Sequence, residues 1–252
     1  LFEDERWERF LPLVYLRGLF DLRCGTGTLR QRVERLLPAA EAPEIGLWCR
    51  PALQPLVAEQ TMLAVNQPAG DGALLLNGCG FWSRLPDRTP GEPAWIGVAG
   101  PREDLACIHV DAALAGQLTS EVLRDTPRRA ALLASLPRRD VSNLVTLFDW
   151  PWELVNFTAT AIEADWRTAG LEGLNRPPDP GVMLLNPERI HIGAGTRIKP
   201  FVVIDAEEGP VWIGANVTIQ PHVSVRGPCY IGNECLIQSG AVIHEGCSFG
   251  RR

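Results

Sequence analysis

Isoleucine or an equivalent returns every sixth residue through the C-terminal quarter of the chain, and this period constrains the fold more than any other feature. The series runs Ile192, Ile198, Ile204, then Ile213, Ile219, Val225, Ile231, Ile237, Ile243 and Phe249. Two residues before the following beat stands a small or β-branched side chain, as at Thr196, Val202, Val217, Val223, Cys229, Cys235, Ala241 and Cys247. Gly193, Gly214, Gly232 and Gly250 follow every third beat, so the structural repeat is three hexapeptides. Such a period fits neither a helix nor a flat antiparallel sheet. It fits a chain wound round a triangular prism, one hexapeptide per face, with the aliphatic residues stacked inside. The expected fold for this part is a left-handed parallel β-helix.

The stacking predicts three ladders: Ile192/Ile213/Ile231/Phe249, Ile198/Ile219/Ile237 and Ile204/Val225/Ile243, each nearly fully buried. Ile204 to Ile213 is nine residues rather than six, so three residues around Glu207-Glu208-Gly209 are expected to bulge at a corner. The coils then span 192–212, 213–230 and 231–248. At one strand spacing per coil they make a stub of about 14 Å. The chain opens on Leu1-Phe2-Glu3-Asp4 as if in mid-strand and closes on Phe249-Gly250-Arg251-Arg252 as a new hexapeptide begins. Together with the missing solenoid cap, this reads as a fragment at both ends.

Ahead of the repeats, short apolar runs alternate with amphipathic segments, which is the sign of an α/β domain. Thr28-Leu29-Arg30-Gln31 is a capping box that opens a helix with Leu29, Val33, Leu36 and Leu37 on one face and Pro38 as its stop. Expected strands are 45–49, 73–76, 95–98 and 106–110. The apolar run Ala73-Leu74-Leu75-Leu76 reads as a buried parallel strand that ends in a ligand-side Asn77-Gly78 loop. A second helix is expected over 152–166, with Val155, Ile162 and Trp166 on one face. Asn175-Arg176-Pro177-Pro178-Asp179-Pro180-Gly181 then breaks every periodicity. The expected domains are therefore an α/β domain over 1–174, a Pro-rich linker over 175–189 and the β-helix over 190–252.

The 252 residues are 46% hydrophobic and 21% charged, enough apolar material for packed cores. A net charge of −6 argues against a nucleic-acid surface, and no apolar run is long enough to span a membrane. The chain opens without a secretory signal. The seven cysteines form no CxxC pair. Cys229 stacks one coil below Cys247, close enough by Cα spacing for a disulfide, although small hydrophobes filling a tight interior explain the same pattern. Reduced thiols throughout imply the cytoplasm.

An α/β domain followed by hexapeptide coils resembles the sugar-1-phosphate nucleotidyltransferases. It is most similar to the bifunctional N-acetylglucosamine-1-phosphate uridylyltransferase/glucosamine-1-phosphate acetyltransferase group. Residues Phe10 to Gly25, including Leu11-Pro12-Leu13, Arg17-Gly18 and Asp21-Leu22-Arg23-Cys24-Gly25, look like a divergent version of that group's N-terminal segment. Asn77-Gly78-Cys79 stands where the group carries Asn-Gly-Asp. The resemblance implies a Rossmann-like nucleotidyltransferase domain, Mg²⁺ and a nucleoside triphosphate with a sugar-1-phosphate as substrates. It also implies acyl-coenzyme A as a co-substrate of the β-helix and a homotrimer built through it. The implied product is a nucleotide-sugar of the UDP-N-acetylglucosamine type.

Transferred residue by residue, Arg17 and Arg23 are the expected phosphate contacts, and Asn77 and Gly78 the groups near sugar or base. Asp21 is the candidate metal ligand. The acyl-transfer base would come from His191, His222 or His244, with His222 and His244 both pointing outward, while His109 has no recognisable partner. The departures point to a different reading. Glu3-Asp4-Glu5-Arg6-Trp7-Glu8-Arg9 replaces a glycine-rich phosphate loop, the lysine after the Arg-Pro pair is absent, and Cys79 replaces the metal-binding aspartate. The alternative is a catalytically degenerate regulatory or trimerisation subunit that binds a nucleotide-sugar.

Overall fold

The computed structural model describes residues 1–37, 45–89, 91–171 and 179–251. The chain divides into two compact units, Leu1–Leu22 with Thr28–Pro151 and Arg23–Gly27 with Trp152–Arg252.

In the first unit, Leu1–Glu3 runs as a short central strand. Phe2 is bridged in parallel to Trp48 on one side and to Asn77 on the other. Beyond Trp48, Gly46–Leu47 pairs in parallel with Ala64–Val65. Beyond Asn77, Leu74–Leu76 pairs antiparallel with Asp104–His109, which pairs antiparallel with Trp95–Ala99, and that strand pairs in parallel with Arg138–Asp140. Asp104–His109 thus runs against its neighbours on both sides. The expectation of a parallel strand at 73–76 holds toward Phe2 and fails toward Ile108. There the chain turns back at Gly100 and its neighbours, so the next strand returns instead of crossing over. Both faces of the sheet are covered: Phe2, Ile96, Ile108 and Leu123 pack in one core, and Val33, Leu76, Trp82, Trp95 and Ala106 in another. Such two-sided burial explains why these strands read as apolar runs and not as alternations.

The Leu29–Leu36 helix begins at the expected capping box. The Thr28 hydroxyl accepts from the Gln31 N–H at 3.1 Å, and the Gln31 side chain accepts from the Thr28 N–H at 3.0 Å. Leu29 and Val33 are buried. Its expected stop, Pro38, lies outside the described residues.

The second unit contains the solenoid, and its register follows the sequence ladders. Ile192 pairs with Ile213, Ile213 with Ile231 and Ile231 with Phe249. Ile198, Ile219 and Ile237 stack on the second face, and Ile204, Val225 and Ile243 on the third. Phe249 departs from the expected full burial at 38% exposure, because among the described residues no further coil covers it. Met183–Leu185, inside the expected linker, adds a strand beside Val203–Asp205. The linker residues Asn175 to Pro178 lie outside the described residues. Of the three extra residues, Glu207 and Glu208 are exposed as expected, whereas Gly209 is buried against Pro228.

The recurring glycines mark where coils approach most closely. A Cβ on Gly193 would lie 2.4 Å from the Gly214 carbonyl carbon, and one on Gly214 would lie 2.8 Å from the Asn233 nitrogen. No side chain fits there. Cys229 and Cys247 are register partners, yet all seven cysteines are free thiols. Burial pushes the Cys229 thiol up, and Cys247 adds to the effect.

The long helix, Pro151–Ala169, covers the expected 152–166. Ile162 and Trp166 are buried as expected, whereas Val155 is 70% exposed. The helix groups with the solenoid, as does the Arg23–Gly27 loop. Buried Asp165 accepts from the Thr26 N–H at 2.8 Å and the Thr26 hydroxyl at 2.7 Å. Ser248 donates to the Gly25 carbonyl at 2.5 Å. Among the described residues no helix is long and apolar enough to cross a membrane.

Ile219 is fully buried, so Ile219→Ala should cost about 2–5 kcal/mol of unfolding free energy. Gln220→Ala, one position outside the ladder, should change it by less than about 0.5 kcal/mol. Chemical denaturation of the two variants checks the assignment of inside and outside.

Candidate functional site

In an open sheet with mainly parallel strands, ligands bind beyond the carboxyl ends of the strands, where successive connections leave in opposite directions. Here that place lies between Leu1–Glu3 and Leu74–Leu76. The next strand of this sheet in sequence, Gly46–Leu47, lies on one side of Phe2, and Leu74–Leu76 lies on the other. The residues emerging at this edge are Glu3 and Asp4 from the first strand, Arg50 past the second, and Asn77 and Gly78 from the fourth.

No open phosphate loop succeeds the first strand. Glu5–Phe10 forms a 3-10 helix capped by Asp4, whose side chain accepts from the Arg6 N–H at 3.0 Å. Three of the four carboxylates of this acidic stretch, those of Glu3, Asp4 and Glu5, are taken up by arginines, while Glu8 is exposed. Glu3 is fully buried, holds Arg50 at 2.8 Å and accepts from the Leu19 N–H at 3.0 Å. Burial pushes the Glu3 carboxyl up against the pull of Arg50. Glu5 pairs with Arg129 at 2.5 Å.

Three carboxylates converge on the Arg6 guanidinium. Its Nη1 donates to Asp4 at 2.9 Å, its Nε to Asp149 at 2.9 Å, and its Nη2 lies 3.1 Å from Asp104. Two more arginines close the rim. Arg9 donates to Asp149 at 3.0 Å, and Arg102 holds Asp104 at 3.0 Å and also donates to Asp149. Burial alone would push both Asp4 and Asp149 up. For Asp4 burial wins over the Arg6 charge, whereas for Asp149 the hydrogen bond from Arg102 and the Arg6 charge bring the carboxyl below its usual range.

The expected site residues fall in four places. Asn77 is fully buried, and its amide donates to Asp4 at 2.8 Å and to the Leu105 carbonyl at 3.0 Å. Its side-chain oxygen accepts from the Cys79 N–H at 3.1 Å. Asn77 therefore orients Asp4, and both of its amide donors are engaged within the protein. Gly78 donates to the Phe2 carbonyl at 2.8 Å, and a Cβ there would lie 2.9 Å from the same oxygen, so its smallness serves sheet packing. Cys79 lies buried with its sulfur 3.7 Å from Arg6. Burial, with Asp4 adding to it, pushes this thiol up to about 12, so it stays protonated at neutral pH.

Arg17 and Asp21 share a cleft of ≈ 270 Å³ with Arg30, Gln60 and Thr61. Gln60 and Thr61 close the Gln54–Gln60 helix just before Ala64–Val65 begins, hence toward the amino ends of the parallel strands. Asp21 is held by Arg30 at 2.7 Å. Arg23 belongs to the second unit, where its guanidinium lies over the Tyr230 ring at 5.9 Å and within 3.5 Å of the Ser248 hydroxyl. Arg17 thus lies with Asp21 in a cleft of the first unit, and Arg23 groups with the second unit.

Among the histidines, His222 occupies an exposed corner with φ 62° and stacks on Phe201 at 5.2 Å. His244 is 70% exposed, 4.0 Å from Glu245. His191 is half-buried, edge-on to Trp212 at 6.3 Å, and burial lowers its pKa. His109 is buried and stacks on Trp95 at 5.7 Å, with no hydrogen-bond partner for Nδ1 among the described residues.

Arg6, Arg9, Arg102, Asp104 and Asp149, missed as site residues in the sequence, carry the charge of this edge. No local motif marks them, because they come together only through strand order. As a test of fit for Mg²⁺, the described residues hold no group of three His, Cys, Asp or Glu placed for a metal ion. The carboxylates have suitable chemistry for a hard cation, but they converge on a guanidinium.

Comparison with known proteins agrees with this architecture. Residues 210–245 match the family described as bacterial transferase hexapeptide (six repeats). A curated relative, the "Bifunctional protein GlmU" of Geotalea uraniireducens (strain Rf4), is 23% identical over 196 residues, which is 73% of this chain and 37% of the relative. This chain thus spans little more than a third of that relative's length. Residues 1–171 match the family model described as sugar nucleotidyl transferase, and by that match over more than half of its length the chain belongs to the sugar nucleotidyl transferase family.

Proposed function

We propose that the first unit transfers a nucleotidyl group to a sugar-1-phosphate, giving a nucleotide-sugar of the UDP-N-acetylglucosamine type, at the carboxyl edge of its parallel strands. The observation that carries this reading is the cluster of guanidinium groups at the switch point of the sheet, with Arg9 and Arg102 on its rim. In the reaction, a phosphate oxygen of the sugar-1-phosphate attacks the α-phosphorus of a nucleoside triphosphate. The new P–O bond forms as the bond to the β-phosphate oxygen breaks, and pyrophosphate leaves with that electron pair. Such a transfer needs positioning and neutralisation of charge more than covalent help. Arg9 and Arg102 would meet the phosphates, and Asn77 would keep Asp4 and through it Arg6 in place.

A second reading, nucleotide-sugar binding without turnover in a regulatory or assembly subunit, is favoured by the pairing of Glu3, Asp4 and Glu5 with arginines and by the protonated Cys79. Release of pyrophosphate separates the two. For the solenoid we propose side-by-side association into a homotrimer, supported by exposed Met183, Phe201 and Val242 on its surface. Acyl-coenzyme A is the proposed co-substrate, with His222 or His244 as base. The free thiols support a reducing compartment such as the cytoplasm.

Losing one charge-assisted phosphate contact is worth about 1.5–3 kcal/mol. Arg9→Ala and Arg102→Ala should therefore slow pyrophosphate release from UTP and N-acetylglucosamine-1-phosphate about tenfold to a hundredfold, and Arg23→Ala should leave the rate unchanged. No pyrophosphate from the wild type with any triphosphate, together with measurable nucleotide-sugar binding, would establish the second reading. Sedimentation equilibrium should give a mass three times that of the chain, and a monomer that persists at all concentrations would remove the side-by-side arrangement.

A further inference from the structure

The carboxylates at the strand ends do not present themselves to a metal, and their partners explain why. Asp4, Asp104 and Asp149 face Arg6, Arg9 and Arg102, three negative charges against three positive ones. Within the cluster each carboxylate already meets a guanidinium, and among the described residues no three of them are gathered for a divalent cation. Its members differ sharply in freedom. The Arg6 side chain is 8% exposed and each of its three nitrogens meets a different carboxylate, whereas Arg9 is 41% and Arg102 62% exposed. Moving Arg6 would strand buried Asp4, which is costly. Moving Arg9 or Arg102 gives up bonds to Asp149 and Asp104 and, for Arg9, its place 5.4 Å over the Trp150 ring, but each of those carboxylates keeps its bond to Arg6.

We propose that this edge is a polyphosphate site neutralised by arginines instead of a protein-held metal. Arg6 is the fixed resident cation, a positioning residue that anchors the three aspartates. Arg9 and Arg102 are exchangeable: an incoming phosphate chain takes their N–H groups from Asp149 and Asp104. The fork of donors on each arginine suits phosphate oxygens as well as it suits carboxylates. Asp149 keeps its bond to Arg6 through the exchange. The inference rests on the reading of this edge as the phosphate site, but it does not require turnover.

The test is calorimetric titration of the full chain with inorganic tripolyphosphate and, separately, with UTP, both in EDTA. Metal-free binding is expected, weakened about tenfold to a hundredfold by Arg102→Ala and by Arg9→Ala. Tighter binding of UTP would identify a nucleoside triphosphate as the natural source of the phosphate chain. Equal binding would identify the phosphate chain alone as what is recognised, and would undercut the nucleotidyl-transfer reading while leaving the arginine exchange intact. In a parallel measurement by electron paramagnetic resonance, wild-type protein without phosphate should leave the spectrum of free Mn²⁺ unchanged. Two results would overturn the proposal. One is stoichiometric Mn²⁺ binding by the wild type that is lost in Asp149→Asn. The other is tripolyphosphate binding that is absent in EDTA, or indifferent to both arginine substitutions.

Discussion

The first unit depends on three residues, Leu1 to Glu3, held as a strand between Trp48 and Asn77 by backbone bonds on both sides. Phe2 donates to the Leu76 carbonyl at 2.9 Å and accepts from Gly78 at 2.8 Å, and Glu3 donates to the Trp48 carbonyl at 2.9 Å. Because this strand is central, the side chains at its carboxyl end are buried at the edge of the sheet, and those side chains belong to Glu3 and Asp4. Two carboxylates out of water are tenable only if each is paired, and Arg50 and Arg6 meet that requirement. The ion cluster of the candidate site is thus a consequence of strand order joined to an acidic strand end. Asn77, at the end of the neighbouring strand, completes it by donating to Asp4.

The solenoid rests on a simpler constraint. Each coil must lie one strand spacing above the last, so the inner residues stack by type and the corners admit only what fits. Aliphatic ladders fill the inside, while Gly193, Gly214 and Gly232 mark the contacts where a Cβ would strike the next coil's backbone or side chains. The same unit recruits Arg23–Gly27 from early in the chain. Gly25, at φ 72°, packs where a Cβ would lie 2.7 Å from the Asp165 carboxylate. The motif that resembles part of a nucleotidyltransferase segment is here a clip on the long helix and the third coil, which explains why its arginine meets Tyr230 and Ser248.

This contrast explains what was legible in the sequence. A β-helix writes each contact into a fixed spacing, so register, interior and the bulge at Glu207–Gly209 could be read from one line of residues. The capping box at Thr28 was legible for the same reason, since its partners lie three positions apart. The candidate site was not. Asp104 is brought to Asp4 and Arg6 by the return of the Asp104–His109 strand beside Leu74–Leu76, and Asp149 by the pairing of Val145–Leu147 with Gly80–Trp82, and no local pattern encodes either. Asn77 stands at the carboxyl edge of the strands, where it holds an aspartate, a role visible only once its neighbours are placed. Arg17 and Arg23 were linked by the resemblance of their segment to that of the nucleotidyltransferases, and the fold assigns them to different units.

The central claim is that a buried guanidinium, and not a metal, balances the carboxylates at the strand ends. A double-mutant cycle on Arg6 and Asp4, read by denaturant unfolding with EDTA present, tests it most directly. Arg6→Met alone should cost about 3–5 kcal/mol, because it leaves buried Asp4 without its counter-charge. Adding Asp4→Asn should recover at least about 1 kcal/mol of that loss, the coupling expected of a buried pair. Additive losses from the two substitutions, or a small cost for Arg6→Met, would contradict the account.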